Sequence, residues 1–293
     1  MRTNKSISLT VLTSMFLSTG TALASEPTAA YEAETKIALA AREATVVEDI
    51  VKAACMMHLG VDADRHRAMI DRDTVHFDAV MNGLQFGDGT YGLTRETNQR
   101  VIDALRVLKI DWLPFKERAE AVLEAGTPDS DAVLWLGEKD LKLLDDVEKL
   151  VSALEKAYGG EALPLHVIVA TKLAQRQATI AQRIAKETCF ISAGLKVDEM
   201  RSKQAEMIVL FENTMTALRD GMPMLGIQKP KNAAVLAQWG VVETSWATLK
   251  ASIAPIADGG VLDDVSLEQM SQNTTALVEE ITTVVGLYAA EML

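Results

Sequence analysis

The chain contains one long segment twice. Residues 39–151 align with residues 173–285 at a constant offset of 134 positions without a gap, and 26 of the 113 aligned pairs are identical. Unrelated sequences of ordinary composition match at roughly 6%, so the chain carries a tandem duplication, and the two copies are expected to share one fold. The identical pairs include Arg42 and Arg176, Ala44 and Ala178, Thr45 and Thr179, Lys52 and Lys186, Cys55 and Cys189, Gly60 and Gly194, Phe77 and Phe211, Gly87 and Gly221, and Trp112 and Trp246.

Breaks rich in glycine and proline divide each copy into four segments of helical composition. Four helices of about 25–30 residues with short connections favour an up-down-up-down bundle. We therefore predict an all-α protein of two tandem four-helix bundles, a first unit (25–160) and a second unit (161–293), divided within the stretch 158–164. The predicted helices span residues 30–59, 62–86, 94–124 and 131–157 in the first unit, and 163–193, 196–219, 230–256 and 262–290 in the second.

Two local signals refine these helices. Pro114 lies inside the third predicted helix, and its partner in the second unit is Thr248, so we expect a kink or break in the first unit alone. Ser266 and Gln269 resemble a capping box, which would move the start of the last helix to Leu267.

The first 24 residues have the features of an export signal. Arg2 and Lys5 precede an apolar run over 7–17, and Ala22-Leu23-Ala24 resembles a cleavage site. The run is too short to span a membrane, so we expect a soluble, exported protein. Removal of two basic residues would change its formal charge from -12 to -14, which disfavours binding to nucleic acid and to anionic lipid.

The first helix of the second unit carries two arginines beside an apolar face. On a helical wheel Arg176 and Arg183 lie at the edge of the apolar arc, and Gln177 lies inside it. One interpretation is an ordinary bundle helix whose arginines lay their stems over the core. The other is that the three side chains converge on an anion, because guanidinium donors match the oxygens of carboxylate, nitrate or phosphate.

The two copies differ in charge at this place. Arg42 is retained in the first unit, but Glu43 stands where the second unit has Gln177, and Asp49 where it has Arg183. The first unit holds 16 basic and 26 acidic residues, and the second holds 11 and 15. An anion is therefore expected to bind the second unit, with Arg42 as the equivalent contact in the first.

Two stretches of the second unit resemble a known family, the N-terminal sensory domain of type IV pilus methyl-accepting chemotaxis transducers, also called the PilJ-type domain and related to nitrate-sensor helical bundles. Residues 175–186, QRQATIAQRIAK, are similar to its G-R-Q-R-M-L-S-Q-R-(I/M)-A-K box. Residues 211–221, FENTMTALRDG, are similar to its F-x-x-x-L-x-x-L-x-x-G ending of helix two. Through the repeat, the resemblance extends over nearly all of the chain after residue 24.

The resemblance implies a periplasmic four-helix sensor that recognises a small ligand near helix one, often across a subunit interface. The position of the arginine that resembles the nitrate contact is occupied by Ala178 and by Ala44, which argues against nitrate. Family receptors continue into a membrane span and a signalling domain, whereas this sequence ends at Leu293. We therefore expect a protein that binds ligand and relies on a membrane partner.

The cysteines allow two arrangements. Cys55 and Cys189 occupy equivalent helical positions, and export makes a bridge between them chemically feasible. They are either two buried thiols or a disulfide across a pseudo-twofold axis between the units, which would imitate a receptor homodimer within one chain.

Other chemistry has weak support in the sequence. Asp73 and His76 alone share the spacing used in di-metal bundles, the other histidines are scattered, and no nucleophile elbow, phosphate loop or dinucleotide motif is present. We expect no metal, no cofactor and no enzymatic activity. The methionine-rich turn at 221–226 is interpreted as a loop on the bundle end, with a partner contact as the alternative.

These observations lead to two hypotheses of function. The first is an exported sensory or ligand-binding protein that takes a small anionic ligand through Arg176, Gln177, Arg183 or Arg42 and acts with a membrane receptor or another envelope protein. The second is a ligand-free structural or protein-interaction module of the cell envelope. In either case a homodimer is a further expected assembly.

Overall fold

The computed structural model describes residues 29–162 and 165–290. In those residues eight α-helices and one short 3-10 helix (Pro223–Leu225) account for nearly all of the chain, and the β-structure amounts to two isolated bridges. The prediction of an all-α protein is confirmed. The helices are α1 (Ala29–Leu59), α2 (Ala63–Phe86), α3 (Gln99–Ala125), α4 (Ser130–Ala162), α5 (Leu165–Ser192), α6 (Val197–Asp220), α7 (Ala233–Ala257) and α8 (Asp264–Ala290).

The same residues end and begin helices in both copies. Gly60 and Gly194 follow α1 and α5 with φ of +75° and +74°, a left-handed conformation that glycine adopts without strain. Asn98 and Asn232 precede α3 and α7, and each side-chain oxygen accepts a hydrogen bond from the backbone amide two residues on. The duplication therefore preserves the turns as well as the helices.

Each copy also has the same aromatic contact between its second and third helices. The rings of Phe77 and Trp112 stack with centroids 3.8 Å apart, and those of Phe211 and Trp246 stack at 4.2 Å. The indole N–H groups donate to carboxylates at equivalent positions, Asp78 at 2.7 Å and Glu212 at 3.1 Å.

The helices of each copy pack mainly on one another. In the first copy α1 packs on α2 and α4, and α3 packs on α4; in the second, α5 packs on α6 and α8, and α7 packs on α8. The two copies meet where α1 packs along α5, so they lie side by side. No described helix has an apolar run long enough to cross a membrane, and the predicted export signal lies outside the described residues.

A break of α3 at Pro114, a start of α8 at Leu267 and an end of α4 before the Gly-Gly pair were predicted and are not observed. Pro114 does not break α3, which runs unbroken from Gln99 to Ala125 while Trp112 and Phe115 anchor it in the core, and a proline also lies inside α7 at position 255. α8 begins at Asp264 and not at Leu267, because the carboxylate of Asp263 accepts a hydrogen bond from the amide of Ser266 at 2.9 Å. The Gly-Gly pair at 159–160 does not interrupt α4, which continues to Ala162.

Candidate functional site

The contact between α1 and α5 places equivalent residues of the two copies face to face. The hydroxyls of Thr45 and Thr179 lie 2.9 Å apart, and Cys55 and Cys189 form a disulfide. Each of these pairs is separated by 134 residues, the offset of the duplication. The two helices therefore run parallel about a pseudo-twofold axis, and of the two arrangements open to the cysteines the structure has the bridge. We call α1 and α5 together the central helix pair.

Between these threonines and the disulfide lies a buried charged layer. Lys52 donates to the side-chain oxygen of Gln182 at 2.8 Å, and the Lys186 ammonium lies 2.6 Å from the carboxylate of Glu48. The two contacts are equivalent under the pseudo-twofold axis. Lys186 also pairs with Asp140 of α4, so the second-copy lysine meets two carboxylates. All five side chains are almost fully buried, and we call them the charged layer.

The charge states in this layer depend on one another. Burial lowers the pKa of Lys186, but the carboxylates of Glu48 and Asp140 more than offset that effect and raise it above its ordinary value. Burial also raises the pKa of Glu48, against the attraction of Lys186. A buried ion pair of this kind stabilises little by itself, but removing one partner strands the other charge.

Two grooves flank the central helix pair, one on each side. Groove one lies between α1, α4, α5 and α6 and encloses about 360 Å³. Groove two lies between α1, α2, α5 and α8 and encloses about 850 Å³. The duplication relates the two grooves, because six residues that line groove one have equivalents, 134 positions later, that line groove two. The residues of groove one are Leu141, Leu144, Asp145, Val147, Glu148 and Val151, and their equivalents in groove two are Thr275, Val278, Glu279, Ile281, Thr282 and Val285.

The structure divides the predicted anion-binding residues among three places. Arg176 and Arg183 both line groove one. Arg42 lines groove two, on the other side of the central helix pair. Gln177 is fully buried, lines neither groove, and has no hydrogen-bond partner for its side-chain amide among the described residues. Groove one therefore brings Arg176 and Arg183 together but not Gln177, because position 177 faces the interior of the helix packing.

The two arginines of groove one are in different electrostatic states. Arg183 is mostly buried, with 19% of its side chain exposed, and its Nε donates to Glu187 at 3.1 Å. Burial lowers the pKa of Arg183, but Glu48 and Glu187 more than compensate and raise it. Arg176 is exposed and makes no hydrogen bond or ion pair with any residue in the described ranges. One guanidinium in groove one is therefore unpaired.

Groove two has carboxylates where groove one has a cation and a thioether. Asp49 occupies the position of Arg183, and Asp73 that of Met207. Arg72 lies 2.7 Å from Asp73 and 3.5 Å from Asp49, and Lys52 lies 2.7 Å from Asp49, so these four charges compensate one another. Arg42 is thus left at the edge of a groove with acidic side chains in its interior.

Two carboxyl groups near the grooves have unusual proton affinities. Burial and the neighbouring Asp49 together raise the pKa of Asp73 to about 7, although Arg72 acts in the opposite direction. Burial likewise raises the pKa of Glu187 to about 7, although Lys186 and Arg183 act in the opposite direction. A carboxyl group with a pKa raised to about 7 therefore lines groove two, and another lies beside groove one on the same helix as Arg183.

A metal centre has no support in the described part of the chain, where no group of three or more histidine, cysteine, aspartate or glutamate side chains is placed to hold an ion. Asp73 and His76 both line groove two, but the ion-pair partner of His76 is Glu43, at 3.3 Å.

The sequence matches no protein-family model, and no curated protein matches it.

The sequence interpretation missed the charged layer and the carboxylate interior of groove two. A signal for the layer was present, since identical lysines stand at the equivalent positions 52 and 186 of the two copies. The pairing of Arg183 with Glu187 was also accessible, because the residues are four apart on one helix.

Proposed function

We propose that this protein is an exported sensory or ligand-binding protein whose groove one binds a small anionic ligand, and that it acts with a membrane receptor or another envelope protein. On this proposal it is a periplasmic relative of the PilJ-type sensory domains, carries two copies of that domain in one chain, and catalyses no reaction. The bound state would be read by its partner through the central helix pair.

The observation that carries this proposal is the unpaired guanidinium of Arg176 at the edge of a cavity of about 360 Å³. Small-molecule sites typically enclose about 300–1,000 Å³. An arginine without a protein partner keeps all its donors for a ligand, and an oxyanion beside a partly apolar wall binds it more strongly than in open water. Arg183 lines the same groove and adds to the positive potential, although Glu187 neutralises part of it.

Two further features support the proposal. The parallel packing of α1 on α5 gives the single chain the symmetry of a dimer, in keeping with ligand recognition across a subunit interface in the family that the sequence resembles. The disulfide between Cys55 and Cys189 is of the kind that persists outside the reducing cytosol, which is consistent with export.

A second candidate is a ligand-free interaction module of the envelope. The loop between α6 and α7 favours it, because Met224 is 96% exposed and Leu225 is 65% exposed on a short 3-10 turn, Pro223–Leu225. Exposed apolar side chains on an ordered turn are a common feature of protein contacts.

Thermal unfolding with a panel of anions separates the candidates. The wild type, Arg176→Ala and Arg42→Ala would each be tested with nitrate, sulfate, phosphate, acetate and hexanoate. A ligand at a hundred times its Kd adds about 2.7 kcal/mol to the free energy of unfolding. We expect at least one anion to raise the Tm of the wild type and of Arg42→Ala, and to leave Arg176→Ala unchanged.

Arg42 is the matched control because it occupies the equivalent position in groove two. Both variants should stay close to the unliganded Tm of the wild type, since both arginines are exposed and neither makes a hydrogen bond or ion pair with the described residues. If no anion stabilises the wild type, or if both variants lose the effect equally, groove one is not the site and the interaction module is favoured.

A further inference from the structure

The wall of groove one is mainly hydrocarbon. Leucine and valine side chains of α4, a leucine of α5 and apolar residues of α6 line it together. The residues that form this wall are Leu144, Val147, Val151, Leu173, Met207 and Leu210. A fully hydrated inorganic anion would leave this surface in contact with water, whereas an apolar ligand body would remove it from water, which is favourable in proportion to the area covered.

The charge available to a ligand in groove one is small. Arg183 is paired with Glu187, and Lys172 lies 3.1 Å from Glu155, which leaves Arg176 as the one lining cation without a partner in the described part of the chain. The α4 side of the groove carries Asp145, which pairs with Lys149, and Glu148, which has no ion-pair partner among the described residues. A second negative charge on the ligand would therefore meet carboxylates, so the groove fits one negative charge and disfavours two.

We infer that groove one is a site for a monocarboxylate with an apolar hydrocarbon body, whose carboxylate pairs with Arg176 and whose chain lies against the leucine and valine side chains of α4, α5 and α6. This inference rests on the proposed function and names the ligand class of the same site. The cavity of about 360 Å³ limits the body to a short or medium chain or a single ring.

Isothermal titration calorimetry with straight-chain carboxylates tests the inference. The full chain would be titrated, at one pH and ionic strength, with acetate, butyrate, hexanoate, octanoate and decanoate. Each added methylene should improve Kd by about fourfold, the equivalent of about 0.8 kcal/mol, until the chain fills the cavity and the gain stops. Adipate, with a second carboxylate at the far end, should bind more weakly than hexanoate.

A matched pair of cavity-filling variants locates the site. Ala44 lines groove one, and its equivalent Ala178 lines groove two. Ala44→Leu should weaken octanoate binding at least tenfold, and Ala178→Leu should leave the Kd within twofold of wild type. Because added methylenes can overpack a helix contact, the Tm of both variants would be measured, and Ala44→Val serves if Ala44→Leu unfolds.

The outcomes separate this inference from the proposal on which it rests. If anions bind through Arg176 but affinity does not change with chain length, the apolar recognition is wrong while the anion site remains. If 1-hexanol binds as tightly as hexanoate, the apolar groove is real and the anion-binding function is wrong. If chain-length dependence survives Ala44→Leu in a folded protein, the hydrocarbon lies elsewhere and the inference fails.

Discussion

Groove one and groove two have the same helical architecture and opposite interiors. Both are bounded by the central helix pair, by one helix from each copy, and by residues at an offset of 134 positions. Groove one has Arg183 and Met207 where groove two has Asp49 and Asp73. Three differences, these two and Arg72 where the second copy has Glu206, therefore separate the more cationic groove one from the self-compensated cluster of groove two, while the helix packing stays the same.

In this duplicated site the backbone geometry stays the same in both copies while the electrostatics differ, so the two properties change independently. The helix contacts depend on apolar residues kept in both copies, such as Phe77 and Phe211, whereas the potential in each groove depends on a few side chains. A duplicated module can therefore lose ligand binding in one copy and keep its fold, since the conserved apolar core provides most of the stability.

The largest expected effect concerns the two equivalent lysines of the charged layer. Lys186→Met leaves Glu48 and Asp140 buried without a counter-ion, and should lower the free energy of unfolding by about 3–5 kcal/mol. Lys52→Met should cost less than half as much, because Asp49 still pairs with Arg72. Urea unfolding of both variants at neutral pH measures the difference.

Adding Glu48→Gln and Asp140→Asn to Lys186→Met should restore much of the lost free energy of unfolding, because the two buried side chains are then uncharged. If Lys52→Met is as destabilising as Lys186→Met, the electrostatic difference between the two sides of the central helix pair is not what the contacts indicate.

A somewhat smaller effect is expected from the disulfide, which lies between the two copies and belongs to neither groove. Cys55→Ser with Cys189→Ser should lower the free energy of unfolding by about 2–4 kcal/mol, because the cross-link restricts the unfolded chain. Chemical denaturation measures it, with wild type under reducing conditions as the control. Octanoate binding should persist in the folded variant, and its complete loss would mean that the bridge positions groove one.

The pH dependence of stability is expected to be weaker. The folded-state pKa values of Asp73 and Glu187 are raised to about 7, so ionising these groups opposes folding. That cost is fully present above about pH 7 and is lost as the pH falls toward the unfolded values near pH 4. Each carboxyl group should therefore add about 2 kcal/mol of stability between about pH 8 and about pH 5.5, partly offset by His66, whose pKa burial lowers to about 4 so that its protonation opposes folding.

The two carboxyl groups report on different grooves. Asp73→Asn should flatten the dependence of stability on pH by removing the carboxyl group in groove two. Glu187→Gln should do the same by removing the carboxyl group beside groove one. A profile that falls from pH 8 to pH 5.5, or one that neither variant changes, would contradict the assignment of these groups as the neutral-pH titrating carboxyls.

The helices and their ends could be read from the sequence to a large extent. Gly60 and Gly194, and Asn98 and Asn232, mark turns and caps by local rules that need no tertiary information. The errors lay where packing opposes a local preference: Pro114 remains in α3 because the neighbouring Trp112 and Phe115 are held in the core. Export, ligand and family stay predictions for the experiments above.

Only part of the candidate site could be predicted from the sequence. The edge position of Arg176 on a helical wheel placed it beside the core, and the structure has it at a groove. The wheel also placed Gln177 within the apolar arc, and it is buried. The grooves themselves could not be predicted, because each is formed by four helices whose mutual placement no single helix specifies.

From the sequence alone it follows that one helical segment is present twice and that the second copy has the more basic first helix. The sequence also indicates where most of the helices begin and end. These properties follow from residue order and from backbone rules that act over a few positions. The tertiary structure alone shows that α1 lies along α5, that Arg176 stays unpaired while Arg183 meets Glu187, and that the carboxylates inside groove two pair with Arg72 and Lys52. Those outcomes depend on burial between segments far apart in the chain, where many side chains compete for the same contacts.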